Sequence, residues 1–156
     1  MSELLQAIYQ GDQARADELL AADPELDVFE AAAVGRTDRL GELLDEDPDL
    51  ANAWARDGFQ PLGLASFFGQ VEAARLLLER GAEVNSASRN DMKVMPLHSA
   101  AATGDPEVRY ELAKLLLEHG ADPNVRQQDD YTPLMAADQH GDERLRKLLL
   151  DHGAAG

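Results

Sequence analysis

Leucine and alanine recur along this chain with the spacing of amphipathic helices. Apolar residues follow two glycines at intervals of three and four positions: after Gly69 come Val71, Ala74 and 76–78, and after Gly141 come Leu145 and 148–150. This spacing is typical of a helix that buries one face. Small residues precede the glycines, and they let neighbouring helices approach closely. The pattern predicts pairs of helices joined by tight turns, where a glycine with positive φ ends the first helix.

The helix pairs repeat along the chain. The glycines that end successive first helices are spaced 24, 34, 35 and 37 residues apart: Gly11, Gly35, Gly69, Gly104 and Gly141. A leucine run followed by Gly-Ala-x-x-Asn ends two units, at 76–85 and 115–124, and its beginning recurs at 148–154. Pro-Leu steps suit the first turn of a helix and stand at Pro61, Pro96 and Pro133. A period of about 33 residues predicts a stacked-repeat architecture.

These motifs resemble the ankyrin repeat over nearly all of the 156 residues. The segments 95–101 (MPLHSAA) and 131–137 (YTPLMAA) are similar to the signature Thr-Pro-Leu-His-x-Ala-Ala, and GAEVN and GADPN are similar to its ending. The resemblance implies an all-α repeat solenoid, an ankyrin stack of about five helix-turn-helix units with short β-hairpin fingers. It also implies that the finger tips and first helices form a concave surface, which in this family usually binds another protein. No unit has both Thr and His of the signature, so the family's hydrogen-bond network is expected to be incomplete.

We expect one domain over residues 1–156. Its units are an N-terminal cap at about 1–24, three units at about 25–57, 58–92 and 93–129, and a C-terminal cap at about 130–156. The step of 24 residues between the first two glycines leaves no room for a finger. Terminal repeats have one unpaired face, which a polar cap covers.

Two insertions distinguish the unit around Gly104. The interval from Gly104 to Gly120 is four residues longer than in the neighbouring units, which is about one helical turn. It predicts a longer helix over 105–118, with Tyr110 in its added half. The loop 86–95 is two residues longer than the other fingers and carries the most basic and apolar tip. We interpret this unit as the most specialised one.

The charge of the chain is strongly negative and unevenly placed. The net charge is −16, and residues 1–50 alone hold 14 acids and 3 bases. Such a surface repels phosphates, so nucleic acid is not expected as a partner. The chain has no cysteine, which excludes disulfides and thiolate sites. No secretory signal or membrane span is apparent, and we expect a soluble, cytoplasmic monomer.

Catalytic chemistry finds little support in the sequence. The motifs HExxH, GxSxG, GxGxxG and the P-loop are absent. His119 and His152 stand just before glycines, where they favour capping of a helix C-terminus, and His98 occupies a motif position of the repeat. We therefore expect no enzyme, no cofactor and no metal site.

The resemblance implies which residues face a partner. The family uses the finger residues before the Thr-Pro step and the two residues before the first glycine. In this sequence these are Arg56, Asp57, Phe59, Phe67 and Phe68, then 88–93 with Arg89, Met92 and Lys93, then Ala102 and Thr103, and finally Gln128, Asp129, Tyr131, Gln139 and His140.

Aromatic residues mark part of this predicted surface. Aromatic and arginine side chains are the usual energetic anchors of interfaces, and Trp54 stands at the start of the first finger. We expect one contiguous protein-binding patch: Phe59, Phe68, Arg89, Met92, Lys93 and Tyr131. Three alternatives stay open: an acidic inhibitor that mimics a polyanion toward a basic partner, a small-ligand binder, and an engineered scaffold.

Overall fold

The computed structural model of the protein describes residues 2–155, apart from the side chain of Gln128. Ten α-helices and two short 3₁₀ helices make up the regular structure of this part. The α-helices are α1 (Glu3–Tyr9), α2 (Gln13–Ala21), α3 (Val28–Val34), α4 (Thr37–Glu46), α5 (Pro61–Phe67), α6 (Val71–Glu79), α7 (Pro96–Ala101), α8 (Pro106–Glu118), α9 (Pro133–His140) and α10 (Glu143–Asp151). The 3₁₀ helices span Pro48–Asn52 and Gln128–Asp130.

The helices form five pairs that stack in two layers. The first layer consists of α1, α3, α5, α7 and α9, each packed against the next. The second layer consists of α4, α6, α8 and α10, while α2 packs on α1. This arrangement confirms the all-α repeat solenoid that the sequence predicts.

Leucines and alanines form most of the core in both layers. The second layer contributes leucines that are fully buried, namely Leu40, Leu77, Leu112, Leu116, Leu145 and Leu149. The first layer contributes small residues with no exposed surface, including Ala31, Ala65, Ala100 and Ala137. Full burial of one leucine side chain contributes about 1.5–3 kcal/mol. The small alanine side chains let neighbouring first-layer helices pack closely against one another.

The turns between paired helices follow the prediction at four of the five glycines. Gly11, Gly35, Gly69 and Gly141 have positive φ. The prediction of a positive φ is wrong for Gly104, because its backbone lies outside the left-handed region. The turn there is held by a side chain instead: Arg109 donates to the carbonyl oxygens of residues 103 and 104 at 2.8 and 3.3 Å.

Three asparagines connect successive units through the same pair of hydrogen bonds. Asn52 donates to the carbonyl of Gly81 at 3.0 Å and accepts from the N–H of Glu83 at 2.9 Å. Asn85 does the same with Gly120 and residue 122, and Asn124 with residues 153 and 155. Each side chain satisfies a carbonyl and an N–H group just after a second helix. These asparagines, two of which end a Gly-Ala-x-x-Asn motif, therefore link the second, third and fourth units to the unit that follows each.

The three fingers are loops rather than two-stranded hairpins. We define finger 1 as residues 53–60, finger 2 as 86–95 and finger 3 as 125–132; within 2–155 no residue is part of a strand. One backbone hydrogen bond closes each finger: Ala55 to Phe59, Ser88 to Val94, and Gln127 to Tyr131, at 2.8–3.0 Å. A single bond of this kind does not extend into a β ladder, so the predicted hairpins are reduced to turns.

The longer helix of the fourth unit is present as predicted. Asp105 caps α8, which has 13 residues, whereas α6 and α10 have nine each. The added turn carries Arg109, whose Nη1 lies 2.8 Å from Asp142 Oδ2. These two side chains are only 5% and 12% exposed. Asp142 also accepts from the N–H of Leu145 and so caps α10. The insertion therefore connects α8 to the start of α10.

The contacts of Asp142 favour its charged form despite burial. Burial raises the pKa of Asp142, but the N–H of Leu145 and the Arg109 guanidinium lower it more, so the pKa lies below its ordinary value. A second pair joins the same helices at the surface: Arg144 lies 3.0 Å from Glu107 and stacks on Tyr110 at 3.7 Å from the ring centroid.

Candidate functional site

Four aromatic rings cluster at one end of the first layer. The Tyr9 ring centroid lies 5.8 Å from that of Phe67 and 5.1 Å from that of Phe68. Phe67 and Phe68 meet edge to face at 5.0 Å, and Phe59 lies 6.4 Å from Phe67. Phe67 remains 42% exposed, whereas Phe59 is buried at 7%. The cluster presents Phe67 to solvent on a base of packed rings.

The position of this cluster follows from the helix ends. Tyr9 is the last residue of α1 and Phe67 the last of α5, so each ring stands two residues before a turn glycine. The equivalent residue of the helix between them, α3, is Ala33, which is 1% exposed. Because its side chain is a single methyl group, the rings from α1 and α5 meet above it. We call Tyr9, Phe67 and Phe68 the aromatic platform.

Asp57 of finger 1 fixes the edge of the aromatic platform. The Tyr9 hydroxyl donates to Asp57 Oδ2 at 3.2 Å, and the N–H of Phe59 donates to Oδ1 at 3.2 Å. Burial, together with the carboxylate beside it, raises the pKa of Tyr9 well above its ordinary value. The phenol therefore stays protonated and remains a donor to Asp57.

Finger 2 is held against finger 1 by backbone and side-chain contacts. The N–H of Arg89 donates to the carbonyl of Gly58 at 2.7 Å, and the Asn90 amide donates to the carbonyl of Asp57 at 3.1 Å. The guanidinium of Arg89 lies over Trp54, with its Cζ 3.8 Å from the ring centroid. These contacts make the two fingers one continuous surface.

The tip of finger 2 owes its shape to local polar bonds. Asn90 accepts from the Ser88 hydroxyl at 2.8 Å and from the N–H of Met92 at 3.1 Å. Lys93 follows with a φ of 49°, an unusual value for a residue with a side chain. Met92 is 47% exposed at this tip. The two additional residues thus form a folded turn that presents Met92 and Lys93.

Finger 3 and the last first-layer helix carry the remaining predicted residues. The Tyr131 hydroxyl donates to the Gln139 side chain. Asp129 is exposed with a φ of 65°, and Gln139 and His140 are exposed at the end of α9. Thr103 is half-buried and donates its hydroxyl to the carbonyl of Ser99 at 3.3 Å. The side chain of Gln128 lies outside the described residues.

His98 anchors finger 3 beneath the surface. It is 4% exposed; its Nδ1 accepts from the N–H of Met95 at 3.2 Å, and its Nε2 donates to the carbonyl of Val125 at 3.0 Å. Burial lowers the pKa of His98 against the raising effect of the carbonyl contacts. The neutral imidazole fits this site because one nitrogen must accept and the other donate.

We expect acid to destabilise the protein through His98. The folded state depresses the pKa of this group, so its contribution to stability is complete above the unfolded value of 6.5 and decreases as the pH falls below it. The free energy of unfolding of the wild type should therefore fall more steeply than that of His98→Gln between about pH 7 and about pH 5. Urea unfolding at both pH values measures the difference. Parallel pH dependence in the two proteins would contradict this expectation.

The structure places the predicted surface residues in different environments. Arg56, Arg89, Met92, Lys93, Asp129, Gln139 and His140 are exposed with Phe67, and Asp57, Phe68, Thr103 and Tyr131 are half-buried. The expectation that Phe59 faces a partner is corrected, because its side chain lies in the core. A Cβ at Gly63 would stand 3.3 Å from its ring, whereas the other units have His98 and Met135 at the corresponding position. The missing side chain leaves the space that Phe59 fills.

Tyr9 was not among the predicted surface residues. Tyr9 stands two residues before Gly11, as Phe67 does before Gly69. This shared spacing could have identified Tyr9 as a surface residue from the sequence. The predicted capping by His119 and His152 is confirmed, since each contacts the carbonyl four residues earlier at 2.9 Å.

The part of the chain that the structure describes has neither a membrane-spanning helix nor a cluster of metal-ligating side chains. None of its helices combines the length and apolar character needed to cross a membrane. Over the same residues, His, Asp and Glu side chains do not gather in groups of three or more with the geometry of a metal site.

Comparison with known proteins places these features in a family. A family model described as ankyrin repeats (3 copies) matches residues 4–127 and 87–155. The rat (Rattus norvegicus) ankyrin repeat and SAM domain-containing protein 6 is 34% identical over 128 residues, which cover 82% of this chain and 10% of that protein.

Two other relatives match about half of the chain. The human (Homo sapiens) DNA-binding protein RFXANK is 35% identical over 88 residues, or 54% of this chain and 34% of that protein. The rice (Oryza sativa subsp. japonica) probable E3 ubiquitin-protein ligase XBOS31 is 38% identical over 84 residues, or 53% of this chain and 18% of that protein. The chain thus spans between a tenth and about a third of the length of these relatives.

Proposed function

Because this chain belongs to the ankyrin repeat family, whose members are generally non-catalytic protein-interaction modules, we propose that it binds a partner protein through its concave face and fingers. The aromatic platform forms the centre of the proposed interface. Fingers 1 and 2 form one side of it, with Arg56, Met92 and Lys93. The ends of α7 and α9 and finger 3 form the other, with Thr103, Gln128, Asp129, Tyr131, Gln139 and His140.

The exposure of Phe67 carries this proposal. A phenylalanine that is 42% exposed, and that rests on two further aromatic rings, is a rigid apolar surface with little side-chain entropy to lose on binding. Aromatic anchors of this kind dominate the energetics of protein interfaces. Finger 2 adds Met92, a flexible apolar side chain that adapts to different surfaces.

Replacing Phe67 with Ser is expected to weaken partner binding by about tenfold or more. Proteins retained from a lysate of the source cells by the immobilised wild type are identified by mass spectrometry. Their affinities for the wild type and for Phe67→Ser are then measured by biolayer interferometry. Phe67 is 42% exposed and packs on the rings of Tyr9 and Phe68, so the variant also loses some stability, and circular dichroism checks that it is folded.

Leu150→Ser is the matched control. Leu150 is 41% exposed, close to the value for Phe67, but it lies on α10 of the second layer. A partner that binds through the aromatic platform distinguishes the two variants. Equal retention by Phe67→Ser and the wild type, or equal losses in both variants, would exclude the proposed interface.

The second candidate function is recognition of a basic partner by the acidic second layer. A shallow groove between α4 and α6 is lined by Asp38, Glu42, Asp45, Glu72 and Glu79, with Arg75 as its one lining base. Binding through exposed charges weakens strongly with salt, because the Debye length falls to about 3 Å at 1 M. Salt-insensitive binding of a captured partner would favour the aromatic platform.

The names of the relatives describe activities of longer proteins. One is a DNA-binding protein and one a probable E3 ubiquitin-protein ligase, and the match to this chain covers a minor part of each. The net charge of −16 opposes contact with phosphates, so we propose a protein as the partner here.

A further inference from the structure

A groove of about 310 Å³ lies beside the aromatic platform, between the first helices and finger 1. Its lining combines apolar, acidic and basic side chains, namely Leu5, Phe29 and Trp54, Asp27 and Asp57, and Arg56. This volume is at the lower limit of about 300 Å³ for ligand pockets. It suits one long side chain better than a whole cofactor.

The floor of the groove is apolar. Leu5 is buried and belongs to the same small core as Phe59, and Phe29 packs against that core. Trp54 is half-buried in the wall. An aliphatic chain of three or four methylene groups would therefore lose water contact along its length.

Two carboxylates stand at the rim, and both are already oriented. Asp27 Oδ1 accepts from the N–H of Glu30 at 2.8 Å at the start of α3. Asp57 accepts from the Tyr9 hydroxyl and from the N–H of Phe59. A carboxylate has about four acceptor sites, so each keeps capacity for a further donor. The groove thus joins an apolar floor to fixed negative charge.

The surrounding charge favours a cation in this groove. The connection from α2 to α3 holds Asp23, Glu25 and Asp27, of which Glu25 pairs with Arg39 of α4 at 3.5 Å. Arg56 at the rim is the one lining base. Arg89 from finger 2 already stacks on Trp54, so Asp27 and Asp57 supply the attraction for a further cation.

We propose that this groove takes one cationic side chain, an arginine or a lysine, of the partner protein. The methylene stem lies on Leu5, Phe29 and Trp54, and the charged end bonds to Asp27 and Asp57. The inference rests on the proposed function and specifies the chemistry of the partner: a surface with an exposed base next to the apolar residue that meets Phe67.

Blocked amino acids test the groove without the partner. N-acetyl-arginine methylamide and N-acetyl-lysine methylamide are titrated into isotopically labelled protein, and the indole N–H of Trp54, the sole tryptophan, is followed by NMR. We expect saturable shifts with dissociation constants of about millimolar order for such small probes. The norleucine analogue, which keeps the stem and lacks the charge, should bind at least about tenfold more weakly.

Variants that change one charge each test whether Asp27 and Asp57 bind the cationic end of the probe. Asp27→Asn and Asp57→Asn should each weaken binding of the arginine probe by about threefold to tenfold. Asparagine keeps the helix-capping acceptor at position 27. At position 57 its one amide oxygen can accept from either the Tyr9 hydroxyl or the Phe59 N–H but not from both. Arg56→Gln should strengthen binding, because it removes a like charge. Glu118→Gln on α8 is the distant control and should leave affinity unchanged.

Equal binding of norleucine and arginine, or no loss in either Asp variant with folding intact by circular dichroism, would overturn the proposal. The two proposals fail separately. A captured partner that needs Phe67 but tolerates both Asp variants supports the interface and excludes the cation groove. If the groove binds the arginine probe and both Asp variants lose affinity for a captured partner that tolerates Phe67→Ser, the cation groove is supported and the aromatic interface is excluded.

Discussion

Replacing Arg109 with Ala lowers the expected free energy of unfolding by about 3–5 kcal/mol, the cost of breaking a buried ion pair on one side. The change leaves Asp142 charged and only 12% exposed. It also removes the donors to the carbonyls of residues 103 and 104 that hold the turn before α8. Urea unfolding followed by circular dichroism measures the loss.

The neighbouring surface pair supplies the control. Arg144 also joins α8 to α10, through Glu107, but the two side chains are 56% and 72% exposed. Surface pairs contribute little because water screens them, so Arg144→Ala should lose far less stability. The pairing between Arg109 and Asp142 is tested by the Asp142→Asn variant, alone and combined with Arg109→Ala. Additive losses would contradict coupling between the two residues.

The same ion pair predicts that the free energy of unfolding falls in acid. The pKa of Asp142 is depressed in the folded state, so its stabilising contribution is present above the ordinary value near 3.8 and is lost as the pH falls through the folded value. In Asp142→Asn this loss is absent.

Replacing Gly58 with Ala is expected to cost about 3 kcal/mol and to separate fingers 1 and 2. Gly58 has a φ of 89°, and a left-handed conformation costs a residue with a Cβ roughly 1–2 kcal/mol. The new Cβ would stand 2.5 Å from the carbonyl oxygen of Arg89 and 2.7 Å from its carbon. These are backbone atoms, so finger 2 must move, and the bond from Arg89 N–H to Gly58, worth about 1 kcal/mol, is lost.

Gly81→Ala separates the conformational cost from the clash. Gly81 has a φ of 92°, and a Cβ there meets no atom within 4 Å. It should therefore lose only the conformational part, about 1–2 kcal/mol. Hydrogen exchange of the Arg89 amide should accelerate in Gly58→Ala and not in Gly81→Ala. Equal stability losses and equal exchange rates in both variants would show that the finger contact is not strained.

Sequence reasoning identifies the features that each unit repeats. The spacing of glycine and leucine predicts the paired helices, and the longer interval after Gly104 predicts the additional turn of α8. These features depend on the local spacing of apolar residues and on glycines at turns, and both can be recognised within one segment of the sequence. The fold could therefore be predicted from the sequence.

Contacts between units were not predictable in the same way. Arg109 has the sequence context of an exposed helical residue, and its burial depends on Asp142, which lies 33 positions away. Phe59 was expected at the surface by its place in the finger, but Gly63 provides the space that buries it. Tyr9 meets Phe67 because Ala33 is small. In each case, the outcome depends on the size or charge of a second residue, which the periodicity of the segment does not specify.

The asparagine hydrogen bonds keep the junction between successive units the same whatever the length of the finger. Asn52 and Asn124 each bond to a glycine 29 positions ahead, while Asn85 reaches one 35 positions ahead and makes the same two bonds. The two insertions between Asn85 and Gly120 leave this junction unchanged. New segments can therefore be grafted into the tip of finger 2 to create binding specificities, while the register of the flanking repeats stays fixed.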